Sequence, residues 1–390
     1  MARFQGKDRE AQCAVYEPPL RAELFSSDQM KQHGKNLAGL HTLRPGHAPD
    51  RLLARLAENE AVLNGTRGLL VEAVRTDRRI TPAAEWLLDN FYLIEEQIRT
   101  ARRHLPTGYS RELPRLREGP SAGLPRVYDI ALETISHGDG RVDPESLGSF
   151  VAAYQTVTVL KLGELWAIPI MLRLALIENL RRVGARIAAG RMDRNLANHW
   201  ADRITDVVAQ DPKGLILVLA DMARSAPPLN SAFVAEFARR LQGQGPALAM
   251  PLTWIEQHLS ECSMTIEQLV QSENQQQAAD QVSMSNSIGS LRFLGAMDWR
   301  EFVETMSVVE QTLREDPRGI YSRMDFSTRD RYRHVVERIA KSGVLSESET
   351  AATAIRLARE RAAAQDHTHG NDDRAAHVGY YLIDKGRARL

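Results

Sequence analysis

The segment from Leu162 to Arg186, LGELWAIPIMLRLALIENLRRVGAR, constrains this chain more than any other, because it nearly qualifies as a membrane helix and then does not. A bilayer-spanning helix needs about 20 largely apolar residues. Here Arg173, Glu178 and Asn179 interrupt the run, and Arg181 and Arg182 close it. A helix apolar on nearly all sides must be covered by its own domain or by a partner. The reading is therefore a buried or partner-facing helix of a soluble fold. At 390 residues, 43% hydrophobic and 26% charged, the chain can build the cores this requires.

Charge and cysteine content exclude several classes. Lys plus Arg equals Asp plus Glu at 50 each, so the overall balance gives no footprint for nucleic acid or for an anionic membrane surface. Cys13 and Cys262 are far apart, which excludes a disulfide framework and a cysteine zinc site. MARFQGKDRE lacks the apolar core of a secretory signal, and no window reaches spanning length.

Start signals and apolar spacing make nearly every long segment a helix. Asp50 is placed to cap a helix through Leu52, Leu56 and Val62, and Thr81-Pro82 and Asp143-Pro144 each supply an N-cap followed by proline at N1. Asp298…Glu301 and Ser346…Glu349 read as capping boxes. Leu196, Trp200, Ile204 and Val207 mark a further stripe. Only the run after Gly214, LILVLA, suits a strand, and it suits a buried helix equally well. The expected fold class is all-α, a multi-helix bundle or an array of packed helical hairpins without a substantial sheet. Prolines and glycines through residue 50 predict a flexible arm over 1–50. Helical regions are expected over 51–245 and 246–390, or as one continuous helical domain, with Arg102 to Pro125 and Gly243 to Pro251 as the weak points.

Chemistry is sparse. No GxxxxGK[ST], GxGxxG or GxSxG is present, so phosphate-loop, dinucleotide and esterase readings have no anchor. His367, His369, Asp372 and His377 form the densest group of metal-type ligands, but without HExxH spacing a polar loop is the better reading. The loop before Asp129 offers Arg126 and Tyr128 to a partner or sugar. Trp86 and Trp166, with Arg173 and Glu178 on the apolar helix, complete a possible interaction surface. Trp200, Trp254 and Trp299 lie on or beside apolar stripes and are expected in cores.

Several long segments together resemble the amino-terminal cytoplasmic region of the cyclic β-1,2-glucan synthases. They are AAEWLLDNFYLIEEQIR at 83–99, LPTGYSRELPRL at 105–116, GLPRVYDIALE at 123–133, LGELWAIPIMLRLALIENLRR at 162–182, and the run from Asp298 to Ala340, with HVGYYLIDKGRARL closing the chain. The resemblance runs from about Leu52 to the end. It implies a bacterial inner-membrane protein in which this region precedes a glucosyltransferase using UDP-glucose and a divalent metal, with no cofactor expected in this stretch. The transferase's aspartate and QxxRW-type motifs are absent here, so no catalytic residue carries over. The absence of a terminating signal after Gly386 fits a piece of a longer protein. The implied role is a non-catalytic scaffold or regulator, partnered by the remaining domains or membrane helices at the cytoplasmic face. A stand-alone glucan-binding or carbohydrate-processing protein is the alternative.

Overall fold

The computed structural model describes residues 17–44, 49–105, 108–365 and 374–390. Sixteen α-helices make up most of it. The first is α1 (Ser27–Leu40), followed by α2 (Leu52–Arg75), α3 (Pro82–Asp89), α4 (Phe91–His104), α5 (Arg126–His137) and α6 (Pro144–Gln155). Then come α7 (Leu162–Gln210), α8 (Leu215–Ser225), α9 (Ser231–Leu241), α10 (Ala249–Ser260) and α11 (Ile266–Ala296). The chain closes with α12 (Trp299–Met306), α13 (Val308–Leu313), α14 (Phe326–Ser342), α15 (Glu347–Gln365) and α16 (Gly379–Ile383). The sheet is a two-strand scrap, β1 (Leu43–Arg44) antiparallel to β2 (Arg115–Leu116). The fold is all-α.

The sequence signals act as expected at the helix starts. Thr81 accepts the Ala84 N–H at 3.4 Å, and Asp143 accepts that of Ser146 at 2.9 Å. Asp298 accepts from Arg300 and Glu301, and Ser346 exchanges bonds with Glu349. Asp50 accepts the Leu52 N–H at 3.2 Å, although the helix itself begins one residue after Arg51. LILVLA is helical, as α8.

The apolar segment from Leu162 to Arg186 is only the first half of α7, which continues without a break through the Leu196–Val207 stripe. At 49 residues α7 is about 74 Å long. Pro169 lies inside it, where the missing N–H leaves the Leu165 carbonyl without its usual donor. The first half sits at the centre of one core with α1 to α6 and the end of α11. The second half enters another core with α8, α9, α10 and the start of α11. A third core gathers α13 to α16.

Two expectations of looseness give way to structure. Within the segment read as a flexible arm, α1 packs on α6, and Gly34 sits so close that a Cβ there would lie 2.9 Å from the Phe150 carbonyl oxygen. Leu37 and Ala38 are buried there, so the glycines and prolines around α1 delimit a helix. The proline-rich stretch from Arg102 to Pro125 is held by Arg115, which is buried and donates to the carbonyls of Pro49 at 2.9 Å, Gly123 at 3.0 Å and Ser110 at 3.1 Å. Leu241 and Leu248, on either side of the boundary expected at 245/246, share the second core. Among the described residues no helix is long and apolar enough to cross a membrane.

Candidate functional site

The polar residues that keep the first half of α7 from being a membrane helix are the points at which other elements are tied to it. Glu164, fully buried, takes two bonds from Arg126 of α5, both at 2.6 Å, and the Lys161 N–H at 2.9 Å. Arg173 donates to Gln97 of α4 at 2.7 Å. Asn179 accepts the Leu20 N–H at 2.9 Å and donates to Ser287 and Ser283 of α11 at 3.0 and 3.1 Å. Glu178, also fully buried, accepts from Arg55 at 2.6 and 2.9 Å, from Asn59 at 3.0 Å, and from Arg181 and Arg182 at 2.9 Å each. Burial alone would raise the Glu178 carboxyl, but the Arg55 hydrogen bonds and charge, helped by Asn59 and Arg181, hold it at about 2.

Four of the six residues nominated as an interaction surface are therefore interior. Arg126, Tyr128, Arg173 and Glu178 are buried structural groups. Burial, with Glu178 nearby, pushes the Tyr128 hydroxyl up. A single chain cannot reveal which charged residues will find buried partners more than 30 positions away, and that is why these read as surface. Trp86 stands partly exposed on α3. Trp166 is half-buried, edge-on to Phe326 with ring centroids 6.4 Å apart. Trp200 is buried, and Trp254 and Trp299 pack against the cores.

Arg126 and Trp166 nevertheless meet at the wall of a groove of about 710 Å³. It lies between the start of α7, the Tyr109–Pro114 loop, the end of α14 and the turn into α15. Arg126 Nη1 and Trp166 Nε1 are buried without a hydrogen-bond partner. Val344 is fully exposed on the turn and Leu345 partly so. Glu347 crosses the groove to accept the Leu162 N–H at 2.8 Å, an acidic group on the open N-terminus of α7. Burial raises the Glu347 carboxyl despite that bond. Burial would also raise Glu337, but bonds from Lys341 and His334 win and lower it. Glu112 and Glu349 are engaged by Lys341 and Ser346. The groove can seat an apolar or ring-bearing segment, with the two unpartnered N–H groups buried in its wall. Its carboxylates are occupied in holding the wall together.

Of the carboxy-terminal metal-type residues, His367, His369 and Asp372 lie outside the described residues. His377 is structural: its Nδ1 lies 2.9 Å from Asp316, which also accepts the Val378 N–H at 2.9 Å. Burial would raise Asp316, and the His377 and backbone bonds lower it. Among the described residues, the group that geometry does bring together is His33, Glu133 and His137. His33 Nε2 is 2.8 Å and His137 Nε2 3.3 Å from the same Glu133 oxygen, and His137 Nδ1 lies 2.7 Å from the Glu23 carbonyl. These three could hold a cation with imidazole and carboxylate donors. Glu133 and His137 are one helical turn apart on α5, a visible signal. His33 comes from α1, in the stretch read as an arm.

No family model matches the chain. Over 385 residues, 98% of its length, it is 32% identical to the cyclic beta-(1,2)-glucan synthase NdvB of Rhizobium meliloti (strain 1021). The match includes most of the first 50 residues, although the resemblance read from the sequence began near Leu52. The chain spans 13% of the length of that relative.

Proposed function

Because the chain is similar along nearly its whole length to one part of a cyclic β-1,2-glucan synthase, we propose that it is the helical module of such an enzyme, docking and holding the parts that build β-1,2-glucan from UDP-glucose. The observation that carries this reading is the match over 98% of the chain but 13% of the relative. The buried charges in the first half of α7, Glu164, Arg173 and Glu178, are each spent on a neighbouring helix, which supports a structural role over a catalytic one. In this reading the module lies at the cytoplasmic face of the inner membrane, and the groove beside Trp166 and Val344 receives an apolar segment of the adjoining synthase.

The test is binding in trans. The purified chain is titrated against the detergent-solubilised remainder of the synthase, with Val344→Glu/Leu345→Glu as the groove variant. Saturable binding that the variant weakens supports docking through the groove. A stable monomer without affinity for the remainder ends the scaffold reading. A glucan-binding module is the second reading, favoured by the unpartnered Nε1 of Trp166 beside the Arg126 guanidinium. Calorimetry against linear and cyclic β-1,2-glucans decides it, and absence of heat removes it.

A further inference from the structure

A second cleft, of about 520 Å³, shares no lining residue with the groove. It is walled by the Asp77–Pro82 turn, by Arg191, Arg194, Asn198 and Asp202 of α7, and by faces of α9 and α11. Six arginines line it against four carboxylates. Three of those carboxylates are already taken. Arg194 donates to Glu273 at 3.0 Å, and Glu273 also accepts from Ser231 at 2.9 Å and Gln277 at 2.8 Å. Arg239 engages Glu236 at 2.6 and 3.0 Å, and Arg240 bonds Asp202 and Asn198. Arg78, Arg79 and Arg191 then have no carboxylate partner among the described residues, and only Asp77 remains to offset them.

Arg191 is the informative member. Its residue is 3% exposed, Nη1 donates to the Arg79 carbonyl at 2.9 Å, and Nε is buried with no partner. A guanidinium cannot shed its proton as a buried lysine can, so burial without a counter-charge leaves it short of hydrogen-bond acceptors. Burial, then Arg194 and Arg78, lowers its pKa, and the nearby Glu236, already engaged by Arg239, only partly offsets them. The bond to the Arg79 carbonyl also fixes the turn carrying Arg78 and Arg79, whose side chains are exposed. Asp77 makes that turn with φ +51°.

We propose that this cleft binds an anion of phosphate chemistry, with Arg191 as the buried donor and Arg78 and Arg79 as the exposed clamp. Planar forks of this kind match phosphate oxygens bidentately. The cleft is larger than a bare phosphate requires, which suits a phosphate ester, either free in solution or on a phospholipid headgroup. This site is independent of the docking reading, since it depends on neither the groove nor a synthase partner.

The test titrates the intact chain with inorganic phosphate and pyrophosphate at matched ionic strength against chloride. Calorimetry and the thermal midpoint are read, and co-sedimentation with phosphatidylglycerol vesicles is set against phosphatidylcholine. The expected result is saturable binding that Arg78→Gln/Arg79→Gln weakens about tenfold or more while leaving the anion-free midpoint unchanged, since neither side chain has a partner to lose. Arg191→Gln is expected to abolish binding; if it does not fold, the exposed double variant still decides. Binding of soluble phosphates alone identifies a soluble ester, and binding to anionic vesicles alone identifies a headgroup. No saturable binding in any arm overturns the proposal, as does binding that the double variant leaves intact.

Discussion

Replacing Glu178 by glutamine tests whether buried charge organises this fold. The substitution keeps size and shape but removes the charge that Arg55, Arg181 and Arg182 share, with Glu17 left as their other nearby carboxylate. Breaking a buried pair by removing one partner costs about 3–5 kcal/mol. Linkage gives an independent figure. With a folded pKa of about 2 against an ordinary 4.5, ionised Glu178 contributes about 3 kcal/mol at neutral pH. The folded pKa is the lower one, so this stability is present above pH 4.5 and is lost as pH falls toward 2. Roughly 1 kcal/mol should remain at pH 3. Urea unfolding of wild type and Glu178→Gln, at pH 7 and at pH 3, reads both quantities. The expected outcome is a gap near 3 kcal/mol at pH 7 that narrows to about 1 at pH 3. Equal stability at pH 7, or a gap that does not change with pH, would refute the reasoning.

Arg126→Met should cost about 3–5 kcal/mol, because it strands fully buried Glu164 and leaves the Val159 carbonyl without its 2.9 Å donor; thermal unfolding reads it. Gly140→Ala should destabilise by about 1–3 kcal/mol, since φ there is +80° and a Cβ would lie 2.4 Å from Ser287 Oγ. Gly289→Ala, on α11 with nothing within 4 Å of the new Cβ, should instead stabilise by about 0.5–1 kcal/mol, and the pair can be compared in one denaturation series. Asp316→Asn should cost about 1–3 kcal/mol by weakening the bonds to His377 and the Val378 N–H, with hydrogen exchange rising first around α16.

The helices were legible where the signal is local. Thr81-Pro82, Asp143-Pro144, Asp298 and Ser346 announce their helices because a cap needs only four consecutive residues. The unbroken length of α7 was not legible. Arg186 to Asn195 is polar enough to suggest a gap between helices, and only the structure shows Arg194 paired across to α11 and Arg186 close to Asp280. Arg126 stood out in the sequence because a cation beside a ring, Tyr128, at a proline corner is unusual, and Trp166 as a ring on the apolar helix. Their membership of one groove rests on the distant turn at Val344. The arginine cleft left no trace in a net charge of zero, since its residues come from four separate segments.

The long helix explains why such different features occur in one module. A single hydrogen-bonded rod carries Glu164 and Trp166 at one end and Arg191, Arg194 and Trp200 further along. The first and second cores therefore share a backbone with no loop between them. Pro169 is the one interior position on this rod whose N–H is missing, and it lies within two turns of the groove. A partner seated in the groove would thus act on the weakest part of the ladder, with Glu347 capping its first turn from the third core. Burying polar groups at Arg173, Glu178 and Asn179 sacrifices stability that an all-apolar helix would keep, yet it ties α2, α4 and α11 to specific points. An apolar face would accept those neighbours in several registers. The polar positions that leave α7 too hydrophilic to cross a membrane are thus the ones that fix its neighbours in place.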